Sequence, residues 1–297
     1  MATISAEVLR NIKRIQIKTS RLATNVFAGQ YKSVFKGKGL EFYEVREYLV
    51  GDDIRSIDWN ITARTGSPHI KKHVEERELT IMLLLDASRS GWFGSTRNLK
   101  KEIAAEVSAV LASSANKNND RVGLIIFTDK IEKFIPPRKG PHHILRIIRE
   151  ALYFKPKGRG TDIGLSLEYL NRVTTRSSVA FIVSDFYTGN LKKALTLANK
   201  KHDIIAVRVT DPRDFEMPDA GLLTLDDAES GKRYVLDTSR KSLREAYRKE
   251  ADRRTKELDD LFGVTGVDSI YISTASPYVE ALARFFMRRR MRKATRS

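Results

Sequence analysis

Residues 79–87 read LTIMLLLDA, an unbroken apolar run closed by a carboxylate, Asp86. A strand with one face in water alternates apolar and polar residues. A run without alternation is a strand buried on both faces, as in a parallel sheet covered by helices. Three further runs repeat the pattern: RVGLIIFTD (121–129), SSVAFIVSDF (177–186) and HDIIAVRVTD (202–211). Between them lie segments of helical spacing. NLKKEIAAEVSAVLASSANK (98–117) sets Leu99, Ile103, Val107, Val110 and Leu111 on one side; HHILRIIREALY (142–153) and NLKKALTLANK (190–200) are also helical. TDIGLSLEYLNRVT (161–174) is a helix with Thr161 or Asp162 placed to cap it. This alternation predicts an α/β fold, Rossmann-like, with a mainly parallel central sheet and helices on both faces. KIEKFIPP (130–137) is expected to be an edge strand that its prolines stop. Two short alternating runs around Glu229-Ser230-Gly231 predict a hairpin. A long charged helix over 239–262, a strand DSIYIS and a last helix running into a basic tail complete the chain.

Before residue 79 the pattern is different. Residues 4–23 space Val8, Ile12, Ile15 and Leu22 as one amphipathic helix. Residues 37–66 mix aromatics with charges and show no period, with a turn at Gly51-Asp52-Asp53. Residues 69–78 alternate weakly and predict a long solvated strand. The expected organisation is an N-terminal extension over 1–78 and an α/β domain over 79–297, which the length of 297 residues accommodates.

Composition excludes several chemistries. There is no cysteine, hence no disulfide, thiolate zinc site or cysteine nucleophile. The N-terminus has no apolar segment of signal-peptide type, and no stretch approaches the ~20 apolar residues that span a bilayer; the expectation is a soluble, cytoplasmic protein. The net charge of +17, from 54 basic and 37 acidic residues, favours acidic partners. It is concentrated in RNIKRIQIKTSR (10–21) and the closing RFFMRRRMRKATR (284–296). Nucleic-acid binding through the tail is one alternative, although no helix-turn-helix, zinc-finger or RNA-binding signature accompanies it.

In parallel α/β sheets ligands bind outside the carboxyl ends of the strands. Three polar clusters fall at such ends or on the loops beside them: Asp86, Ser88 and Ser90; Thr161; and Asp185. Hydroxyls and carboxylates are hard oxygen donors that suit Mg²⁺ or Mn²⁺. Ser88, Ser90 and Thr161 can bind directly and leave the ion electron-poor. Asp86 and Asp185 balance its charge, directly or through water. A coordination position stays open for an acidic side chain of a partner. Trp92 and Phe93, just past the site, are either exposed apolar contacts beside the metal or packing beneath the loop. Asp and Ser after a strand also cap helices and form turns, which explains DASRSG alone but not Thr161 and Asp185. A magnesium-dependent phosphoester hydrolase is a second alternative. It lacks support from a P-loop, an H-E-x-x-H pattern or a nucleophile paired with a base, and no catalytic residue is assigned. The histidines at 69, 73, 142, 143 and 202 form no cluster at the metal position.

D-x-S-x-S at Asp86, Ser88 and Ser90, with a later Thr161 and Asp185, resembles the metal-ion-dependent adhesion site of von Willebrand factor A domains. The order of elements from about residue 79 to 275 resembles that fold. The block GKGLEFYEVREYLVGDDIRSIDWNITARTG followed by HVEERE is similar to the signature of a bacterial family of unknown function. Its members carry a von Willebrand A-like domain and are typically encoded beside MoxR-type AAA+ ATPases. The resemblance implies a metal-dependent, non-enzymatic protein-interaction module. It would be an adaptor whose partner is the ATPase, or a client that the ATPase remodels. Many relatives carry membrane segments near the N-terminus, which are not evident in this sequence. Glu41, Arg46, Asp52, Asp53, Arg55, Asp58, Trp59 and Arg64 of the block read as mutual charge pairs pinning the extension to the main domain, with Trp59 supplying apolar contact.

Overall fold

The computed structural model describes residues 43–73, 78–227 and 231–295, with residues 15, 17, 19, 22, 34 and 35 before them. In chain order the strands are β1 (Tyr43–Glu47), β2 (His69–His73), β3 (Thr80–Asp86), β4 (Arg121–Phe127), β5 (Ile131–Arg138), β6 (Val179–Ser184), β7 (Asp203–Thr210), β8 (Leu222–Asp226), β9 (Arg233–Asp237) and β10 (Asp268–Ser273). The helices are α1 (Trp59–Thr65), α2 (Lys100–Lys117), α3 (Pro141–Tyr153), α4 (Ile163–Val173), α5 (Lys192–Lys201), α6 (Lys241–Thr265) and α7 (Tyr278–Thr295). Most of the helix expected over 4–23 lies outside the described residues.

The central sheet has the order β10-β7-β6-β3-β4-β5. Every pairing in it is parallel except that of β5 with β4. Two cores explain the unbroken apolar runs, because alternate residues of each strand serve opposite faces. Leu83, Leu85, Phe181 and Val183 face one core with Ile103 and Val107 of α2, Ile148 of α3 and Phe286 of α7. Met82, Leu84, Ile125 and Ile182 face the other, with Leu167 of α4, Leu195 of α5 and Phe262 of α6. Helices therefore cover both faces, as the alternation predicts.

The prolines do not stop β5. The strand runs through Pro136 and Pro137 to Arg138. Its register with β4 passes from Leu124↔Ile135 to Val122↔Arg138, an irregularity that falls on the two prolines. An edge strand with a local bulge accommodates residues that cannot donate to a ladder.

In the N-terminal part, β1 and β2 form a separate antiparallel pair. Arg46 binds Asp52 bidentately, at 2.8 and 2.7 Å. Asp53 caps the 3₁₀ turn Ile54–Ser56, and Asp58 caps α1 through the amides of Asn60 and Ile61. These acids satisfy backbone donors that a helix start leaves open. Trp59 does not supply the expected contact: it is 67% exposed, because Asp58 starts the helix with Trp59 on its solvent side. β2 is described over His69–His73, and 74–77 of the strand expected over 69–78 lie outside the described residues. The hairpin forms as β8 and β9, antiparallel. Among the described residues no helix is long and apolar enough to cross a membrane.

Candidate metal centre

β3 is flanked by β4 and β6, with Leu85 opposite both Ile126 and Val183. Asp86 is the last residue of β3, and Asp185 follows the last residue of β6. The parallel register thus delivers the two carboxylates side by side at the carboxyl edge of the sheet. The chain then turns sharply after β3. The amide of Ser88 donates to Asp86 Oδ1 at 2.9 Å, and the hydroxyls of Ser88 and Ser90 lie 3.0 Å apart. Asp86, Ser88, Ser90 and Asp185 line one small cavity together with Ser184 and Lys100.

Ser184 orients Asp86. Its hydroxyl donates to Asp86 Oδ2 at 2.6 Å and accepts from the amide of Phe186 at 3.0 Å. Burial and the neighbouring negative charge of Asp185 push the Asp86 carboxyl up to about 6. Two converging acids, with two hydroxyls at hand, match a hard divalent cation in donor type and in charge. Asp86, Ser88, Ser90 and Asp185 fit that role.

Thr161 sits on the neighbouring loop and is not among the residues lining this cavity. The loop is tied to the other two clusters through its backbone. Thr161 O accepts from Thr188 Oγ1 at 3.3 Å, and Arg159 O accepts from the amide of Arg89 at 3.1 Å. Glu132 of β5 anchors the loop by accepting from the amides of Lys157 and Gly158, at 3.0 and 2.6 Å. Asp162, not Thr161, caps α4, accepting from the amide of Leu165 at 2.8 Å.

Three further residues belong to the site. Besides Ser184, they are Lys100, the first residue of α2, and Asp214, in the 3₁₀ turn Pro212–Asp214 after β7. Lys100 Nζ lies 3.0 Å from Asp185 Oδ2 and 3.3 and 3.2 Å from the two oxygens of Asp214. Burial opposes its charge, but Asp185 and Asp214 outweigh that and hold the ammonium above the usual lysine range. Burial raises Asp214 despite the attraction of Lys100. Asp211, at the end of β7, accepts from the amide and hydroxyl of Ser95 at 2.9 and 2.5 Å and from Thr274 Oγ1 at 2.6 Å. It thereby fastens the loop after Trp92 to the sheet.

Trp92 and Phe93 are exposed, at 53% and 45%, which favours a surface role over packing beneath the loop. The ammonium groups of Lys101 and Lys100 lie over their respective rings. Trp92 also lines a cleft of about 550 Å³ that shares Asp86 and Ser88 with the small cavity. Three histidines have partners elsewhere: His69 with Ser67, His143 with Val122 and His202 with Ser178.

Similarity to known proteins follows the same span. Uncharacterized proteins of Mycobacterium tuberculosis and Mycobacterium bovis are 28% identical over 284 residues, covering 94% of this chain and 89% of theirs. Among solved structures, the conserved hypothetical protein BatB from Bacteroides thetaiotaomicron is 16% identical, covering 71% of this chain and 98% of its own, with a TM-score of 0.44. An aerotolerance-related membrane protein from Bacteroides fragilis is 18% identical over 72% of this chain and 99% of its own, with a TM-score of 0.46. A von Willebrand factor type A protein from Catenulispora acidiphila is 15% identical over 44% of this chain and 33% of its own, with a TM-score of 0.35. The family described as protein of unknown function DUF58 matches residues 44–257, and the chain belongs to it.

Proposed function

We propose that the chain is a non-enzymatic, divalent-metal-dependent protein-interaction module of von Willebrand A type. Mg²⁺ or Mn²⁺ is held by Asp86, Ser88, Ser90 and Asp185, with Thr161 reaching the ion from its loop. An acidic side chain of a partner completes the coordination. Trp92 and Phe93 give that partner an apolar contact beside the metal. The partner is a MoxR-type AAA+ ATPase or a client of one, so that the chain serves as an adaptor in assembly or maturation of other proteins. Residues 1–78 act as a family-specific extension of the 79–297 domain.

The observation that carries this reading is the convergence of two carboxylates and two hydroxyls, from two adjacent parallel strands, on one cavity at the carboxyl edge of the sheet. Calorimetric titration of Mg²⁺ and Mn²⁺ into the full chain tests it. Saturable binding at one site, lost in Asp185→Ala, is expected. Binding that survives that substitution refutes the site. Retention of an acidic partner that persists in excess chelator refutes the metal bridge.

A further inference from the structure

Lys100 sets a cation on Asp185, one of the carboxylates that the reading above gives to the metal. It is the first residue of α2, and the positive end of a helix dipole is an unfavourable place for an ammonium. It is nevertheless 4% exposed. An ammonium has three donors, and the three acceptors within reach are Asp185 Oδ2 at 3.0 Å and the two oxygens of Asp214 at 3.3 and 3.2 Å. The rings of Phe93 and Tyr187 flank it, each centroid 5.7 Å away. Its neighbour Lys101 carries the same charge on the adjacent position, yet is not paired with Asp185 in this way. A buried cation on a ligand carboxylate resists a second cation, because the two repel strongly where water is excluded.

We propose that Lys100 is a latch built into the metal site. Its ammonium competes with the divalent ion for Asp185 and sets the metal concentration at which the site loads. Asp214 receives the ammonium when the ion takes Asp185, which links metal occupancy to the turn after β7. This rests on the metal reading above.

The test is calorimetric titration of Mg²⁺ and Mn²⁺ into three full-length proteins: the parent, Lys100→Met, and the double variant Lys100→Met/Asp214→Asn. The single substitution leaves Asp214 buried without its cation and adds one negative charge to the surroundings. The double variant removes one charge of each sign, so the local charge is unchanged and only Asp185, the carboxylate the ion takes, loses its cation. A latch predicts that the double variant binds either ion about tenfold more tightly than the parent, or more so. Binding by the variant where the parent shows none supports it equally. Affinity in the double variant equal to or weaker than that of the parent overturns the latch and makes Lys100 a positioning residue for Asp185. Absence of binding in all three proteins overturns the metal reading and the latch with it.

Discussion

At Gly158 there is no space for even one carbon. A Cβ there would meet Asp129 Oδ1 at 2.0 Å and Thr128 Oγ1 at 2.1 Å. The glycine lets the loop that carries Thr161 lie against the end of β4, where Glu132 accepts its amide. Gly158→Ala is expected to push the loop outward and to destabilise the fold by about 1–3 kcal/mol, the usual cost of overpacking. Urea denaturation measures the loss. If Thr161 reaches the metal, the same substitution weakens Mg²⁺ binding, whereas an unchanged affinity removes Thr161 from the ligand set. Asp86, Ser88, Ser90 and Asp185 are legible in the sequence because they close two buried apolar runs at the carboxyl edge of the expected sheet, where ligands bind, and a turn explains DASRSG alone but not Asp185. Lys100 and Asp214 are not. Two adjacent lysines begin α2, and only the 100° step between helical neighbours sends one toward Asp185 and leaves the other over Trp92. That angle depends on where the helix starts, which sequence patterns place poorly. Asp214 arrives from a turn whose path no periodicity describes. Ser184 carried a readable sign, since it adjoins Asp185.

Where secondary-structure elements meet, polar groups at their ends have to be satisfied, and His202 joins three such ends. It lies at the C-terminus of α5. Its Nδ1 accepts from the amide and hydroxyl of Ser178, ahead of β6, at 3.2 and 2.9 Å, and its Nε2 lies 3.4 Å from Thr174 Oγ1 at the end of α4. An Nδ1 that accepts twice must be unprotonated, so the ring is neutral with its proton on Nε2. Burial, with the charge of Lys201, lowers its pKa to about 4. The unfolded chain binds a proton at about 6.5 that the folded chain refuses until about 4. The stabilisation is therefore complete above the higher value and is lost as pH falls toward the lower one. Between pH 7 and 5 the parent is expected to lose about 2 kcal/mol more stability than His202→Asn. Equal losses, read from denaturation midpoints at the two values, would show that His202 titrates normally in the fold. The elements themselves were legible where periodicity spoke: the four apolar runs and the helices between them follow from patterning. β5 departs from its expected end because a bulge at an edge absorbs its prolines, a tertiary circumstance that local propensity does not register.

On the scale of the whole molecule, the charge and the N-terminal residues are less separate from the α/β body than composition suggests. Part of the basic C-terminal helix is spent internally. Arg289 pairs with Asp203 and Asp268, and Arg292 with Asp268, fastening α7 to the amino ends of β7 and β10. Arg289 also lies over the ring of Phe35, 5.1 Å from its centroid. Phe35 meets Phe181 of β6 and Phe286 of α7 edge-on, with centroids 5.9 and 5.8 Å apart, and the adjacent Val34 is fully buried in the same core. An aromatic side chain in such contacts contributes through area and through edge-to-face geometry. Phe35→Ala is therefore expected to cost the α/β body about 2 kcal/mol, below the range for a fully buried phenylalanine because Phe35 is only partly enclosed. The decisive reading, in a Trp59→Phe background, is whether unfolding stays a single transition that shifts as a whole when followed by Trp92 fluorescence, which reports the α/β body, and by far-ultraviolet dichroism. A coincident shift makes residues 34 and 35 part of the body they cover. An unchanged transition would mean that the Phe35 ring adds nothing to the stability of the body it touches.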